Sequence, residues 1–248
     1  MLATVHDSLI TAGEMQIHMR PKTVPAVPLY PIIYTHGAGA RADAMDEYGG
    51  AARRSRLVHD AGITGISGDF GGRQTWGNDT AMAAMTAAYN WLQGKPGVKN
   101  GKVILCGGSM GGLNALVWAA ANPTKVACVS IYIPVLNPSE IHDLNLTHQG
   151  VGYAQFVDQS YPPNGWNTAL LRATKDPLFM AGMGKYTGIP IRLHFGLNDG
   201  LCRPESAWEF GRRVPTAELF PILGGHEEST ELQIDREDEV DFMLRYAK

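Results

Sequence analysis

The sequence predicts an α/β fold, and three observations carry this expectation. Short apolar runs alternate with longer segments of helical periodicity, which is the pattern of strands joined by helices. Glycine-containing turns separate several of these strands from the segment that follows. The chain has 248 residues, of which 44% are hydrophobic, so it can bury a substantial core as a single domain.

The N-terminal half begins with two strands joined by a glycine-containing turn at 11–13, and a proline-rich stretch follows them. In this half we expect strands at 4–10, 14–19, 32–35 and 64–68 and helices at about 41–60 and 79–93. In the C-terminal half we expect strands at 103–106, 126–134, 191–196 and 217–223 and helices at 113–121, 204–213 and 232–246. The strand assignments depend on short apolar runs, and the helix assignments depend on apolar residues three and four positions apart.

The chain is organised around one glycine-rich segment, Gly107-Gly108-Ser109-Met110-Gly111-Gly112. Residues 107–111 fit G-x-S-x-G, in which the serine occupies a strained strand-to-helix turn that exposes its hydroxyl. Glycine suits both ends of the motif, because a side chain there would collide where the helix doubles back past the strand. The predicted strand before the motif and helix after it distinguish it from a chance match.

Through this motif the chain resembles the α/β-hydrolase family. The resemblance implies a mostly parallel sheet of about eight strands with helices on both faces, and a triad in the chain order serine, acid, histidine. Ser109, Asp199 and His226 follow that order, and His226 is the only histidine after Asp199. Asn137 and Glu140 mark an alternative region for the acid, because some family members place it after the preceding strand.

The resemblance also implies an oxyanion hole after the third strand. His36-Gly37-Ala38-Gly39-Ala40 resembles the corresponding loop of the family, although an ordinary glycine-rich loop would have the same composition. We expect the backbone N–H groups of Ala38 and Met110 to be the donors. Asp69 precedes the serine in the sequence, so we expect it to have a structural role and to accept backbone N–H groups.

About 50 residues without a clear strand precede the strand at 191–196, a length that is unusual for a simple connection. By resemblance, residues 137–190 form a small helical cap within the single domain. Its aromatic residues suit a cover over an apolar substrate site, or they pack the cap onto the core. The candidate pocket residues are Arg73, Trp76, Tyr153 and Trp166, although a surface arginine and packed tryptophans are the alternative.

Composition argues against several other classes of protein. The net charge is -3 and no basic stripe occurs, so we expect no nucleic-acid partner. His142 and His148 are off the spacing that aligns two histidines on a helix, and the chain has neither a Walker loop nor a dinucleotide fingerprint. We therefore expect no metal and no cofactor.

The sequence contains no apolar run long enough to span a bilayer and no signal-peptide pattern, so we expect a soluble protein. The three cysteines lack metal-like spacing and are expected to be free thiols. This favours a reducing, cytoplasmic compartment, although a secreted enzyme without disulfides would have the same composition. Oligomeric state is open.

These features together predict a cofactor-free serine hydrolase of small-molecule esters or thioesters. Ser109 would attack the carbonyl, His226 would act as base and then acid, and Asp199 would orient the histidine. A peptidase of the prolyl-oligopeptidase type is one alternative, since Gly-Gly-Ser-x-Gly-Gly also resembles that group. A non-catalytic binding or assembly module of the same fold is another.

Overall fold

The computed structural model describes residues 4–11, 14–21, 24–44 and 49–248. The strands are β1 (Thr4–Thr11), β2 (Glu14–Pro21), β3 (Ile32–Thr35), β4 (Gly65–Gly68), β5 (Val103–Gly108), β6 (Val126–Tyr132), β7 (Thr147–His148), β8 (Val151–Gly152), β9 (Ile191–Gly196) and β10 (Ala217–Ile222). The helices are α1 (Gly49–Asp60), α2 (Asp79–Leu92), α3 (Met110–Ala121), α4 (Pro138–Asp143), α5 (Ala154–Gln159), α6 (Thr168–Lys175), α7 (Pro177–Gly182), α8 (Pro204–Arg213), α9 (Glu228–Glu231) and α10 (Arg236–Ala247).

Eight of these strands form one sheet in the order β1-β2-β4-β3-β5-β6-β9-β10. The strands from β4 to β10 in that order pair in parallel, whereas β2 pairs antiparallel with both β1 and β4. Strands β3 to β6 and β9 are buried along nearly their whole length, as expected where helices cover both faces of a parallel sheet. The predicted α/β-hydrolase fold is confirmed.

The two faces of the sheet bury separate apolar clusters, because successive side chains of a strand point to opposite faces. On β5, Val103 and Leu105 belong to the cluster beneath α2 and α3. Ile104 and Cys106 belong to the other cluster, beneath α1 and α10. The central strands are thus anchored from both sides, and the loops at their carboxyl ends extend from a rigid base.

The structure differs from the sequence-based expectation at several boundaries. The C-terminal helix predicted at 232–246 begins at Arg236, because Asp235 caps it by accepting from the Asp238 N–H at 3.1 Å, and the separate short helix α9 precedes it. The helix predicted at 41–60 is described over α1, and residues 45–48 lie outside the described residues. The turn at 12–13 lies outside them as well.

Residues 137–190, which we call the cap segment, connect β6 to β9. They contain α4 to α7 and a short antiparallel hairpin, β7–β8, which the sequence pattern did not predict. The division into a single domain with a cap insertion stays a prediction. Within the described ranges no helix has the length and apolar character needed to cross a membrane.

Candidate active site

Ser109 lies at the sharp turn between β5 and α3 with a φ of +52°. Few residues with a side chain adopt this conformation, which exposes the hydroxyl above the sheet. The neighbouring glycines are required sterically: a Cβ at Gly108 would meet the Tyr132 ring, and one at Gly111 would meet the Thr35 carbonyl oxygen. The turn is therefore packed closely against the Tyr132 ring on one side and the backbone at the end of β3 on the other.

Three side chains form a continuous hydrogen-bonded chain at this turn. Ser109 Oγ lies 2.9 Å from His226 Nε2, and His226 Nδ1 lies 2.8 Å from Asp199 Oδ2. The ionised carboxylate only accepts, so Nδ1 carries the proton and Nε2 is left to accept from the serine hydroxyl. The second carboxylate oxygen of Asp199 accepts the N–H groups of Leu201 and Cys202 at 2.9 and 2.7 Å.

The burial of this chain increases from serine to acid. Ser109 is partly exposed, the side chain of His226 is 11% exposed and that of Asp199 is fully buried. The alternative acid region is used elsewhere: Asn137 caps α4, and Glu140 pairs with Arg203 at 2.8 Å. Asp199 is thus the carboxylate that the structure brings to His226.

The two residues predicted to supply the oxyanion donors lie near Ser109, one directly after it in the turn and one in the loop after β3. Met110 begins α3, so its N–H is one of the donors that a helix leaves free in its first turn. The loop after β3 passes close to Ser109, since a Cβ on Gly37 would lie 3.7 Å from the serine Cβ. Ala38 lines the same cavity as Ser109, and its N–H has no acceptor among the described residues.

Asp69 supports this loop as expected, by accepting the Ala42 N–H at 2.8 Å. His36 also braces it, with its two ring nitrogens 2.8 Å from the Gly37 carbonyl and 3.0 Å from the Asp69 carbonyl. The loop is therefore anchored by hydrogen bonds just before the residue that we expect to be the oxyanion donor.

A cavity of about 320 Å³ opens above Ser109. Its lining residues come from the ends of β3, β5 and β6 and the segments after them, from α1, from the cap segment and from the segment after β10: Thr35, His36, Gly37, Ala38, Ala40, Ala44, Ala51, Gly108, Ser109, Tyr132, Ile133, His148, Tyr153, His226, Glu227, Glu228 and Glu231. Most of the positions on the β3 side are small, which leaves room for a substrate beside the serine.

Of the four residues predicted to line a substrate pocket, only Tyr153 borders this cavity. Trp76 is fully buried and packs against Tyr153, with the centroids of the two rings 5.8 Å apart. Trp166 is buried against Tyr161 in the cap segment, and Arg73 is exposed. The two packed tryptophans and the surface arginine fit the alternative that the sequence analysis gave for these three residues.

The cavity also contains residues that the sequence analysis did not select for the site. His148 lies against the catalytic candidate His226, with ring centroids 5.3 Å apart. Three glutamates that follow His226 in the sequence also line the cavity: Glu227, Glu228 and Glu231. The sequence around His148 does not predict its contact with His226, because the two residues are 78 positions apart (226 minus 148).

A buried ionic network lies behind the cavity. The Arg236 guanidinium contacts Glu231 at 2.7 Å and Glu239 at 2.6 Å, and Arg54 lies 3.5 Å from Glu239. Although burial raises the pKa of Glu239, Arg54 and Arg236 outweigh it and hold that pKa at about 2. The Arg54 guanidinium also packs over the Tyr132 ring at 4.5 Å. Through Glu231 the network fixes α9, which follows the His226 loop.

One set of side chains in the described part of the chain could hold a metal ion. Ligand atoms of Asp199, Cys202 and His226 lie within 4.8 Å of one another. Burial and the neighbouring carboxylate raise the pKa of the Cys202 thiol well above its ordinary value, which disfavours the thiolate that a metal requires. The hydrogen bonds between Asp199 and His226 account for this arrangement without a metal.

The sequence matches the Esterase family over residues 86–232, which is more than half of the chain. None of the curated proteins compared with the chain matches it.

Among solved structures, an S-formylglutathione hydrolase from Agrobacterium tumefaciens is similar, with a TM-score of 0.76 at 14% identity over 100% of this chain and 97% of that one. Est1E from Butyrivibrio proteoclasticus has a TM-score of 0.70 at 17% identity over 97% and 98%. FphF, a fluorophosphonate-binding serine hydrolase of Staphylococcus aureus, has a TM-score of 0.73 at 13% identity over 98% of both chains. At these identities the likeness shows a shared fold.

Proposed function

Because the chain belongs to the Esterase family and is a carboxylesterase-like serine hydrolase, we propose that Ser109, His226 and Asp199 are its catalytic triad. The Ser109 hydroxyl attacks the substrate carbonyl while His226 Nε2 takes its proton. Asp199 accepts from Nδ1–H, orients the ring and stabilises the imidazolium that forms. The observation that carries this proposal is the continuous hydrogen-bonded chain beneath the cavity.

The negative charge that develops on the carbonyl oxygen is held by the N–H groups of Ala38 and Met110, each contributing about 3 kcal/mol to transition-state stabilisation. His226 then gives its proton to the leaving oxygen or sulfur as the bond to the acyl carbon breaks. Water attacks the acyl-enzyme with His226 again as base, and the carboxylic acid leaves. No step requires a cofactor.

The substrate class is a small-molecule carboxylic ester or thioester. The name of the Agrobacterium relative describes hydrolysis of S-formylglutathione, which is a thioester. The cavity of about 320 Å³ lies near the lower end of the range for ligand pockets, so we expect short acyl groups.

The three buried free thiols are the basis for placing the protein in a reducing, cytoplasmic compartment, which subcellular fractionation tests.

The test is hydrolysis of p-nitrophenyl esters from acetate to palmitate. We expect the highest kcat/KM at the short end and a loss of at least about 10³-fold in Ser109→Ala and in His226→Ala. Ser139→Ala is the matched control, since Ser139 is buried in the cap segment and does not line the cavity. Equal rates in wild type and the triad variants would refute the catalytic assignment.

A fluorophosphonate probe separates the remaining alternatives. Labelling that is lost in Ser109→Ala supports a serine hydrolase, whereas folded protein that takes no label points to a binding module. Cleavage of prolyl peptides without ester hydrolysis would indicate the peptidase.

A further inference from the structure

The position of His226 identifies the part of the cavity that receives the leaving group. If the proposed function holds, His226 Nε2 protonates the leaving oxygen or sulfur, so the leaving group must lie beside this ring. Side chains that line the cavity next to His226 therefore contact the alcohol or thiol part of the substrate. His148 meets this condition, with its ring 5.3 Å from that of His226 and its side chain on the cavity wall.

His148 is held in place by the shortest kind of hairpin. It pairs with Val151, and the two residues between them, Gln149 and Gly150, have φ angles of +50° and +79°. Two successive positive φ angles are typical of the tight turns that match the twist of a two-stranded ribbon. The hairpin fixes the backbone of His148, so the imidazole forms a defined wall of the cavity.

The charges around this part of the cavity are negative. Glu227 and Glu228 follow His226, line the cavity and are exposed. The charge of Glu231 is offset by Arg236 at 2.7 Å. No lysine or arginine occurs among the lining residues that the structure describes. A leaving group with a carboxylate would meet like charges here, whereas a cationic one would be attracted.

We propose that the leaving alcohol or thiol binds between His148 and the carboxylates of Glu227 and Glu228. His148 contacts the leaving group directly, and the two glutamates select neutral or cationic leaving groups over anionic ones. This proposal rests on the proposed function and names the leaving-group specificity of the same site.

The experiment uses three acetyl thioesters whose thiols differ in charge: acetylthiocholine, its neutral isostere 3,3-dimethylbutyl thioacetate, and S-acetyl-3-mercaptopropionate. All three form the same acetyl-enzyme, so differences in kcat/KM report only acylation. The ratio of wild type to variant for each thioester cancels the intrinsic reactivity of its thiol.

In Glu228→Gln we expect kcat/KM to fall roughly threefold for the cationic thioester, to rise roughly twofold for the anionic one and to change least for the neutral one, as for an exposed charge pair. High salt should shrink these differences. Glu205→Gln is the control, because Glu205 is exposed but does not line the cavity.

In His148→Ala we expect kcat/KM for the neutral thioester to fall roughly fivefold, from the lost ring contact. The decay of the acetyl-enzyme should be unchanged, because the leaving group has already departed. His142→Ala is the control, since His142 lies in the cap segment and contacts Asp143 and Asp158 outside the cavity.

Charge effects of equal size in Glu228→Gln and Glu205→Gln would overturn the charge selection. Equal falls in kcat/KM for His148→Ala and His142→Ala would show that His148 has only a structural role. A fall of the same size in the rate of acetyl-enzyme decay would show the same. Absence of hydrolysis of the neutral thioester and of p-nitrophenyl acetate by wild type would instead refute the proposed function, and this assignment with it.

Discussion

Acid should weaken the fold through His194 on β9. Burial lowers the pKa of His194 from 6.5 to about 4. The positive charges of Arg236 and Arg192 lower this pKa further, and the negative charge of Glu239 opposes the shift. Between these two values the unfolded chain binds a proton that the folded chain does not, so the free energy of unfolding falls as the pH falls. The lowered pKa corresponds to about 3 kcal/mol in total, of which about 2 kcal/mol is lost between pH 7 and pH 5.

Urea denaturation of wild type and His194→Gln at these two pH values measures the effect. Between pH 7 and pH 5 we expect wild type to lose about 2 kcal/mol more stability than the variant, which has no imidazole to protonate on unfolding. Phe220→Leu is the control, because Phe220 packs on the His194 ring at 5.0 Å and does not titrate. The reasoning fails if wild type and His194→Gln show the same dependence on pH.

Three further predictions concern the site and its surroundings. Ser109→Gly should melt at a higher temperature than the equally inactive Ser109→Ala, with about 1 kcal/mol gained because glycine accepts a φ of +52° without strain; equal melting curves would contradict this. Gly108→Ala should lower the free energy of unfolding by about 1–3 kcal/mol in urea, because its Cβ would meet the Tyr132 ring; an unchanged midpoint would argue against that contact. Cys202 should resist iodoacetamide until the protein unfolds, because burial and Asp199 raise the pKa of its thiol, and mass spectrometry of the native protein checks this.

The sequence was sufficient to predict those parts of the site that depend on local chemistry. The glycines around Ser109 are needed because their Cβ atoms would overlap neighbouring backbone or rings, so the motif itself encodes the turn. Asp199 and His226 were selected by the chain order that the α/β-hydrolase resemblance implies, and each follows the carboxyl end of a parallel strand. Their hydrogen bonds agree with the predicted triad, and the catalytic roles remain proposals.

The wall of the cavity was harder to predict, because it is formed by packing between distant segments. Trp166 has the size and apolarity of a pocket residue, yet it is buried against Tyr161. His148 is an ordinary loop histidine in sequence and reaches His226 only because the cap segment folds back over the sheet. Residue type cannot distinguish these outcomes without the path of the cap.

The cap segment is tied at several points to the start of α2 and to the loop before it, and these ties have a mechanical consequence. Tyr161 Oη donates to the Trp76 carbonyl at 2.6 Å, and Lys175 Nζ lies 2.6 Å from Asp79. The same loop donates the Thr75 N–H to the sulfur of Met110, at 3.2 Å. A force that lifted the cap would therefore pull on the residue that follows the nucleophile. We therefore expect the cap segment to stay in place during turnover, with substrates entering through the mouth of the cavity and no hinged lid.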